Sequence, residues 1–312
     1  MKIIFVCHTE FGLVKNQKVI ADKSATDGVL KGVPNIIKII DRYNAKASFA
    51  VMPEVLDYFP KEIGHEVGLH IHPGWQESEI NGVKFQVGDI YLREHCSQSS
   101  NSTILKDYCY EEQLDMIRTG KDHLKDKLNA NPLFFVAGRW SIDNSTIKAL
   151  DKSGFAYECS AVPHSKPCHH DWSRLQRICM PYHPSKNDYQ SEGDMNLLIV
   201  PISQMLLGGN VNPEVEPYVG INWMKSCFLE YYKQGLPLFH ICLHSPAATD
   251  LYFLRILDDL IKFISQYNVE FSWVSEIKET YICKPRPLYF EYLRGINKKI
   301  IRHMGASLIN VF

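Results

Sequence analysis

Short, almost wholly apolar runs alternate along the chain with longer segments whose apolar residues recur at helical spacing. KIIFVC (2–7) is β-branched and aromatic without a polar interruption, the pattern of a strand covered on both faces. VPNIIKIIDRYN (33–44) carries Pro34 in a first-turn position and apolar residues at 36, 37, 39 and 40, which predicts a helix. KASFAVM (to residue 52) and HEVGLHIH (65–72) predict two more strands. Around 110–128, EEQLDMIRTGKDHLKDKL places Leu114, Ile117, Leu124 and Leu128 on one side of a long helix. PLFFVAG (132–138) predicts a strand, and DNSTIKALDKSGF a helix stopped at Gly154. AYECS, NLLIVPIS and LPLFHICLH predict strands, DLYFLRILDDLIKFISQYN (250–268) an amphipathic helix and VEFSWVSE a last strand. This alternation, repeated about seven times, predicts an α/β fold with a parallel sheet or a β/α barrel. Segments 76–108 and 160–196 break the rhythm and are expected to be irregular insertions, with SQSSNST as a surface loop. RPLYFEYLRGINKKIIRHMG (286–305) reads as separate from the barrel. The expected division is therefore a barrel domain over 1–280 and a basic amphipathic helical extension over 281–312.

Composition narrows the class. At 312 residues, 45% hydrophobic and 22% charged, the chain has ample material for a core. A net charge of −1 argues against a general nucleic-acid binder, which needs a basic excess. Nine scattered cysteines, an odd number without a CxxC pair, suggest reduced thiols in a cytoplasm. The apolar run in MKIIFVCHTEFG is too short for the core of a signal peptide, and nowhere do about 18 apolar residues follow one another. The expectation is a soluble cytoplasmic protein.

Chemistry collects where the predicted strands end, and in a parallel β/α architecture those C-terminal ends share one face. The first strand ends in His8 and Glu10, the third in His70 and His72, PLFFVAG in Arg139 and LPLFHICLH in His244. Residues two apart on a strand point the same way, so His8 with Glu10, and His70 with His72, can each present two groups to one point. Two histidines and a carboxylate with open positions suit a catalytic divalent metal. His65, at the start of its strand, and His240, inside its strand, read as structural. His169 and His170 in CHHDW either line a cleft or sit in a solvated loop. Asp27 in ATDGV reads as a turn residue, with a base as its reserve role.

These residues resemble the polysaccharide deacetylase superfamily (carbohydrate esterase family 4, the NodB-homology domain) over roughly residues 2–275. HTEFG is similar to the family's Asp-x-Asp ending of its first strand. GVPNIIKIIDRYNAKASFAV is similar to its following helix and strand, GHEVGLH to its Gly-His-Glu-(Ile/Val)-Gly-x-His motif, and CLH to its late Leu-His. FFVAGRW resembles the strand bearing the family arginine. The resemblance implies a distorted, NodB-like (β/α) barrel of about seven parallel strands. It carries Glu10 and His70 over as metal ligands, places His8 at the position of the general base, where a histidine serves as base or as a third ligand, and offers His244 as the general acid or oxyanion-side histidine, with Arg139 to hold charge near the tetrahedral intermediate. The chain departs from the pattern in three places. His8 stands where the family has an aspartate. The second family histidine position is Gly74, so His72 is the available second ligand, and Arg139 lies three residues beyond the family arginine.

The implied reaction is metal-dependent hydrolysis of an N-acyl group, usually acetyl, from an amino sugar, with zinc first and nickel, cobalt or iron as alternatives. Asp171 and Trp172 are candidate substrate-binding residues, the indole against a sugar ring, or else ordinary loop anchors. The expected partner is an amino-sugar saccharide, nucleotide- or lipid-linked, made for surface polysaccharide, and not nucleic acid. Arg294, Lys298, Lys299 and Arg302 beside Tyr289, Phe290, Tyr292, Leu293, Ile296, Ile300 and Ile301 fit contact with the inner face of a membrane or docking on the protein's own domain or on a second subunit. A glycan-binding pseudoenzyme and another metal-dependent sugar hydrolase on the same barrel are the alternatives.

Overall fold

A computed structural model describes residues 1–80, 83–207, 209–278, 285 and 288–309. Its central sheet is built from β1 (Lys2–Thr9), β2 (Ser48–Val51), β3 (Glu66–Ile71), β4 (Phe134–Ala137), β5 (Tyr157–Glu158), β6 (Leu198–Ile199) and β7 (Leu238–His244). The strands run in the order β6-β5-β4-β3-β2-β1-β7, every pair parallel. A short β8 (Glu270–Phe271) pairs with Lys2 and Ile3 of β1. β6 and β7 are not paired as strands; Ser203 N–H donates to His240 O (3.1 Å) and Cys242 N–H to Val211 O (3.0 Å) across that gap. The result is a distorted β/α barrel, one of the two forms that the alternation predicts and the one that the resemblance implies.

Main-chain periodicity explains both layers of core. Along β1, Ile4 and Val6 pack inward with Ala50, Phe134, Val136, Leu198 and Leu238. Ile3, Phe5 and Cys7 face the helices. Helix α1 (Val33–Arg42) buries Val33, Ile36, Ile39 and Ile40, one face at helical spacing. α2 (Tyr110–Leu128) has the bounds read from the sequence and ends at Asn129 in the left-handed conformation (φ 49°). α3 (Asn144–Lys152) is capped by Asp143, which accepts from Thr146 N–H. α4 (Ile221–Lys233) and α5 (Leu251–Ile264) complete the cover of this side.

Segment 76–108 differs from expectation. Trp75–Ile80 and Val83–Gly88 pair as an antiparallel hairpin, followed by a capped helical turn, Ile90–His95. Alternating residues on either side of an Asn-Gly pair are a hairpin signal, unlike the wholly apolar runs of the parallel strands. In 160–196 a smaller hairpin joins Pro184–Ser185 to Asp188–Glu192. Helices α6 (Tyr289–Leu293) and α7 (Lys298–Ile309) follow the barrel. The fully buried Glu230 of α4 accepts from Arg177, from Leu288 N–H and from Tyr292 OH. Lys299 of α7 pairs with Glu216 at 2.7 Å. Among the described residues no helix is long and apolar enough to cross a membrane, and the eight described cysteines are unpaired.

Candidate active site

The inward period of β1, β3 and β7 carries His8, His70 and His244 to one end of the barrel, with Glu10 and His72 just past their strands. His8 and His244 are register partners on neighbouring strands. Their rings lie 4.6 Å apart, His8 and His70 4.7 Å, and His70 and His72 4.9 Å. One donor atom each of Glu10, His70 and His72 lie within 4.8 Å of one another, and one each of His8, Cys242 and His244 form a second such group. Cys242, two residues before His244 on the same face, approaches His8 Nε2 at 3.7 Å.

Local packing fixes these groups. Glu10 is clamped through its backbone: its N–H donates to Ser245 Oγ (3.2 Å), whose hydroxyl donates to Glu10 O (3.3 Å). Ser245 can sit there because Gly32 carries no Cβ, which would lie 2.0 Å from Ser245 O. Gly138 plays the same part for His72, whose Nδ1 would meet a Cβ at 2.3 Å. His72 Nε2 lies 3.8 Å from Glu10 Oε2, beyond hydrogen-bond reach and open to a shared ligand. His70 donates Nδ1–H to Val136 O (3.0 Å), which fixes its tautomer and leaves Nε2 bare, buried and without a partner. A buried acceptor left so is costly, and a metal ion satisfies it; the donor set of one carboxylate and two neutral imidazoles fits such an ion.

Burial holds these imidazoles neutral. It pulls His70 down to about 3, and it pulls His8 and His72 well below the histidine range, with the surrounding histidines adding to the effect. Burial also raises the Glu10 carboxyl above its usual range, opposed by charge on His244 and Lys23. His244 is the exception. Burial alone would lower it, but Glu214, with carboxylate oxygens 3.0 and 2.9 Å from its Nδ1, holds it up at about 9. Glu214 also accepts the His244 backbone N–H at 2.9 Å. The site thus combines neutral donors with one imidazolium.

The other sequence candidates lie elsewhere. The Arg139 guanidinium turns outward and donates to Gln76 Oε1 (3.0 Å), so it does not join the cluster, although its charge still depresses His72. Trp172 is completely buried and cannot offer a ring face to a sugar; its Nε1–H donates to Trp140 O at 3.0 Å. Asp171 pairs with Lys166 at 2.7 Å and accepts from Ser173. His170 is buried, with Nδ1 on Arg139 O (3.0 Å) and Nε2 on Ser165 Oγ (3.1 Å). Asp27 pairs with Lys31 at the surface. His65 faces Asp41 (3.2 Å), and His240 is buried against the Val200 and Pro201 carbonyls.

Two functional candidates escape sequence reasoning. Glu214 sits in NPEVEP with no periodic pattern around it, and only the tertiary fold brings it to His244. Trp140 directly follows Arg139, and both adopt left-handed backbone (φ 54°), a strained conformation for such side chains that clusters at functional sites. The Trp140 ring lies 6.2 Å from that of His8 and 6.4 Å from that of His244, and its buried Nε1 has no partner. The bonds from His170 and Trp172 to the Arg139 and Trp140 carbonyls hold this turn.

The barrel on which these strand-end groups gather is an architecture that solved structures share. The chain is similar to a polysaccharide deacetylase from Mycobacterium smegmatis (TM-score 0.58, 15% identity, 92% of this chain and 94% of that one). It is similar to a polysaccharide deacetylase from Pseudomonas aeruginosa PAO1 (TM-score 0.56, 14% identity, 88% of each chain). It is also similar to the PuuE allantoinase (TM-score 0.55, 15% identity, 88% of each chain). No protein-family model and no curated protein matches the sequence. The fold is that of the NodB-like polysaccharide deacetylases, in a divergent form.

Proposed function

We propose that the chain is a metal-dependent hydrolase that removes an N-acyl group, acetyl foremost, from an amino sugar in a nucleotide- or lipid-linked saccharide of surface-polysaccharide assembly. The observation that carries this reading is the bare, buried Nε2 of His70 inside the Glu10, His70 and His72 group. Those three residues would hold a divalent ion, zinc first. When bound, the ion supplies Lewis-acid polarisation of the acyl carbonyl and a water of lowered pKa. The chain's own groups do the rest. Neutral His8 accepts the proton of the attacking water. His244, whose Nδ1 is engaged by Glu214, donates its Nε2 proton to the departing amine. Trp140, which replaces Trp172 as the aromatic candidate, presents its unpartnered N–H to the substrate and shields the site from water. We place this reaction in the cytoplasm, and we retain 1–280 and 281–312 as barrel and extension.

A second reading, a saccharide-binding chain without turnover, is favoured by one observation. His8 stands where the resemblance puts an aspartate, and its burial among imidazoles weakens it as a base. Elemental analysis of protein purified without added metal tests the first reading. About one ion per chain is expected in the wild type, and none in His70→Ala with His72→Ala. Acetate release from N-acetylated saccharides then follows. Wild type that is metal-free and takes up no Zn²⁺, Ni²⁺ or Co²⁺ overturns the hydrolase, whereas a bound ion without acetate release favours the second reading.

A further inference from the structure

Helix α6 and the first turn of α7 turn an unusual face to solvent. Phe290 is 81% exposed, Tyr289 59%, Leu293 58%, Ile296 51% and Ile301 57%. At helical spacing Tyr289, Phe290 and Leu293 share one side of α6, while Tyr292 turns the other way and is buried. The exposure does not come from a loosely held segment. Tyr292 OH donates to Glu230 (2.8 Å), Asn297 Nδ2 to Val219 O (2.9 Å), and Lys299 pairs with Glu216. Among the described residues, the exposed charged side chains on this face are all basic: Arg294, Lys298 and Arg302. Glu291, the one acidic residue in the sequence from 289 to 302, is tied to Lys233 at 2.7 Å.

Apolar side chains rimmed by cations match an anionic bilayer, which takes the apolar groups into its interface and the cations against its headgroups. A second copy of the chain fits less well, because a two-fold contact through this face would set one basic row against another. The face also adjoins a cleft of about 640 Å³ lined by Trp140, His169, Gln204 and Leu207, of which Trp140 reaches the site with its ring 6.2 Å from that of His8. Leu206 N–H donates to Tyr292 OH (3.1 Å), which bonds α6 to the cleft's lip, and Trp223 Nε1–H of α4 donates to Leu206 O (2.7 Å). Leu207 on that lip is itself 55% exposed.

We propose that residues 289–302 form a docking surface for an anionic phospholipid bilayer. This surface sets the mouth of the Trp140 cleft at the membrane, so that the saccharide taken is lipid-linked rather than nucleotide-linked. The choice of substrate rests on the deacetylase reading; the docking surface does not. The test is co-sedimentation of the full chain with vesicles of phosphatidylcholine alone and of phosphatidylcholine mixed with phosphatidylglycerol. Binding to the mixed vesicles, weakened by salt, is expected. Phe290→Ser with Leu293→Ser, and separately Arg294→Glu with Lys298→Glu, should weaken it by roughly tenfold or more while thermal unfolding and metal content stay as in wild type. No binding to the mixed vesicles, equal binding to both compositions, or binding unchanged in both variants overturns the docking surface. So does a wild-type dimer in sedimentation equilibrium that Phe290→Ser with Leu293→Ser makes monomeric without any vesicle binding. For the substrate, acetate release from a lipid-linked N-acetylated saccharide in mixed vesicles should exceed that from a nucleotide-linked one, and the reverse order overturns that half. Vesicle binding by a chain that holds no metal keeps the docking surface and removes the deacetylase.

Discussion

Replacing Glu214 with Gln removes the charge that makes His244 an acid while keeping an oxygen to accept the His244 backbone N–H. In the wild type, burial pulls the imidazole down, yet Glu214 lifts it from 6.5 to about 9. At 1.36 kcal/mol per pH unit, that net rise is worth about 3 kcal/mol in favour of the imidazolium. Without the carboxylate, burial dominates, and His244 is expected to titrate below 6.5 and to be neutral at pH 7. A folded value above the unfolded one means that the pair's stabilisation is complete below about pH 6.5 and is lost as pH rises through about 9. Glu214→Gln should flatten that part of the stability curve. NMR titration of His244 reads the change without any substrate. On an N-acetylated saccharide, the alkaline limb of kcat should move from near 9 to below 6.5, and kcat at pH 7 should fall by roughly a hundredfold or more. Wild-type His244 titrating below 6.5, or a variant His244 still titrating above 7, would refute the pairing.

Gly138→Ala should push the His72 ring aside and weaken metal affinity by roughly ten- to a hundredfold, measured by competition with a chelator; unchanged affinity would mean that His72 is not a ligand. Trp172→Phe removes the bond to Trp140 O and should cost about 1–3 kcal/mol in urea unfolding. A loss of saccharide affinity with stability intact would instead return Trp172 to the substrate. Arg177→Met deprives the fully buried Glu230 of its bidentate partner and should cost about 3–5 kcal/mol by the same measurement, with the protease sensitivity of residues 288–303 rising in parallel.

Most of the fold is legible because the strands buried on both faces are long apolar runs and the helices that cover them are amphipathic. The edges are less so. AYECS, NLLIVPIS and VEFSWVSE predict β5, β6 and β8 as strands but not that each is only two residues long, and the hairpin beginning at Trp75 lies in a segment that reads as an irregular insertion. For the site, strand-end position and a period of two suffice to nominate His8, Glu10, His70, His72 and His244. They cannot reveal Glu214, because a carboxylate in a loop acquires its role only from the partner that folding supplies. Nor can they separate Trp140 from Trp172. The deciding facts, the positive φ of one and the complete burial of the other, belong to backbone strain and packing rather than to residue type.

The distance along the chain between the two halves of the site has a consequence for biosynthesis. β1 to β4 are sheet neighbours in the order in which a ribosome makes them, so Glu10, His70, His72 and the Gly138 that admits the His72 ring are present once Trp140 has emerged. β7, which forms seven register pairs with β1, brings His244 only some hundred residues later, and 234 residues separate Cys242 from His8. A nascent chain can therefore gain the means to capture an ion well before it gains the acid that completes the reaction. Until β7 arrives, one edge of β1 waits unpaired, the state most open to the wrong neighbour.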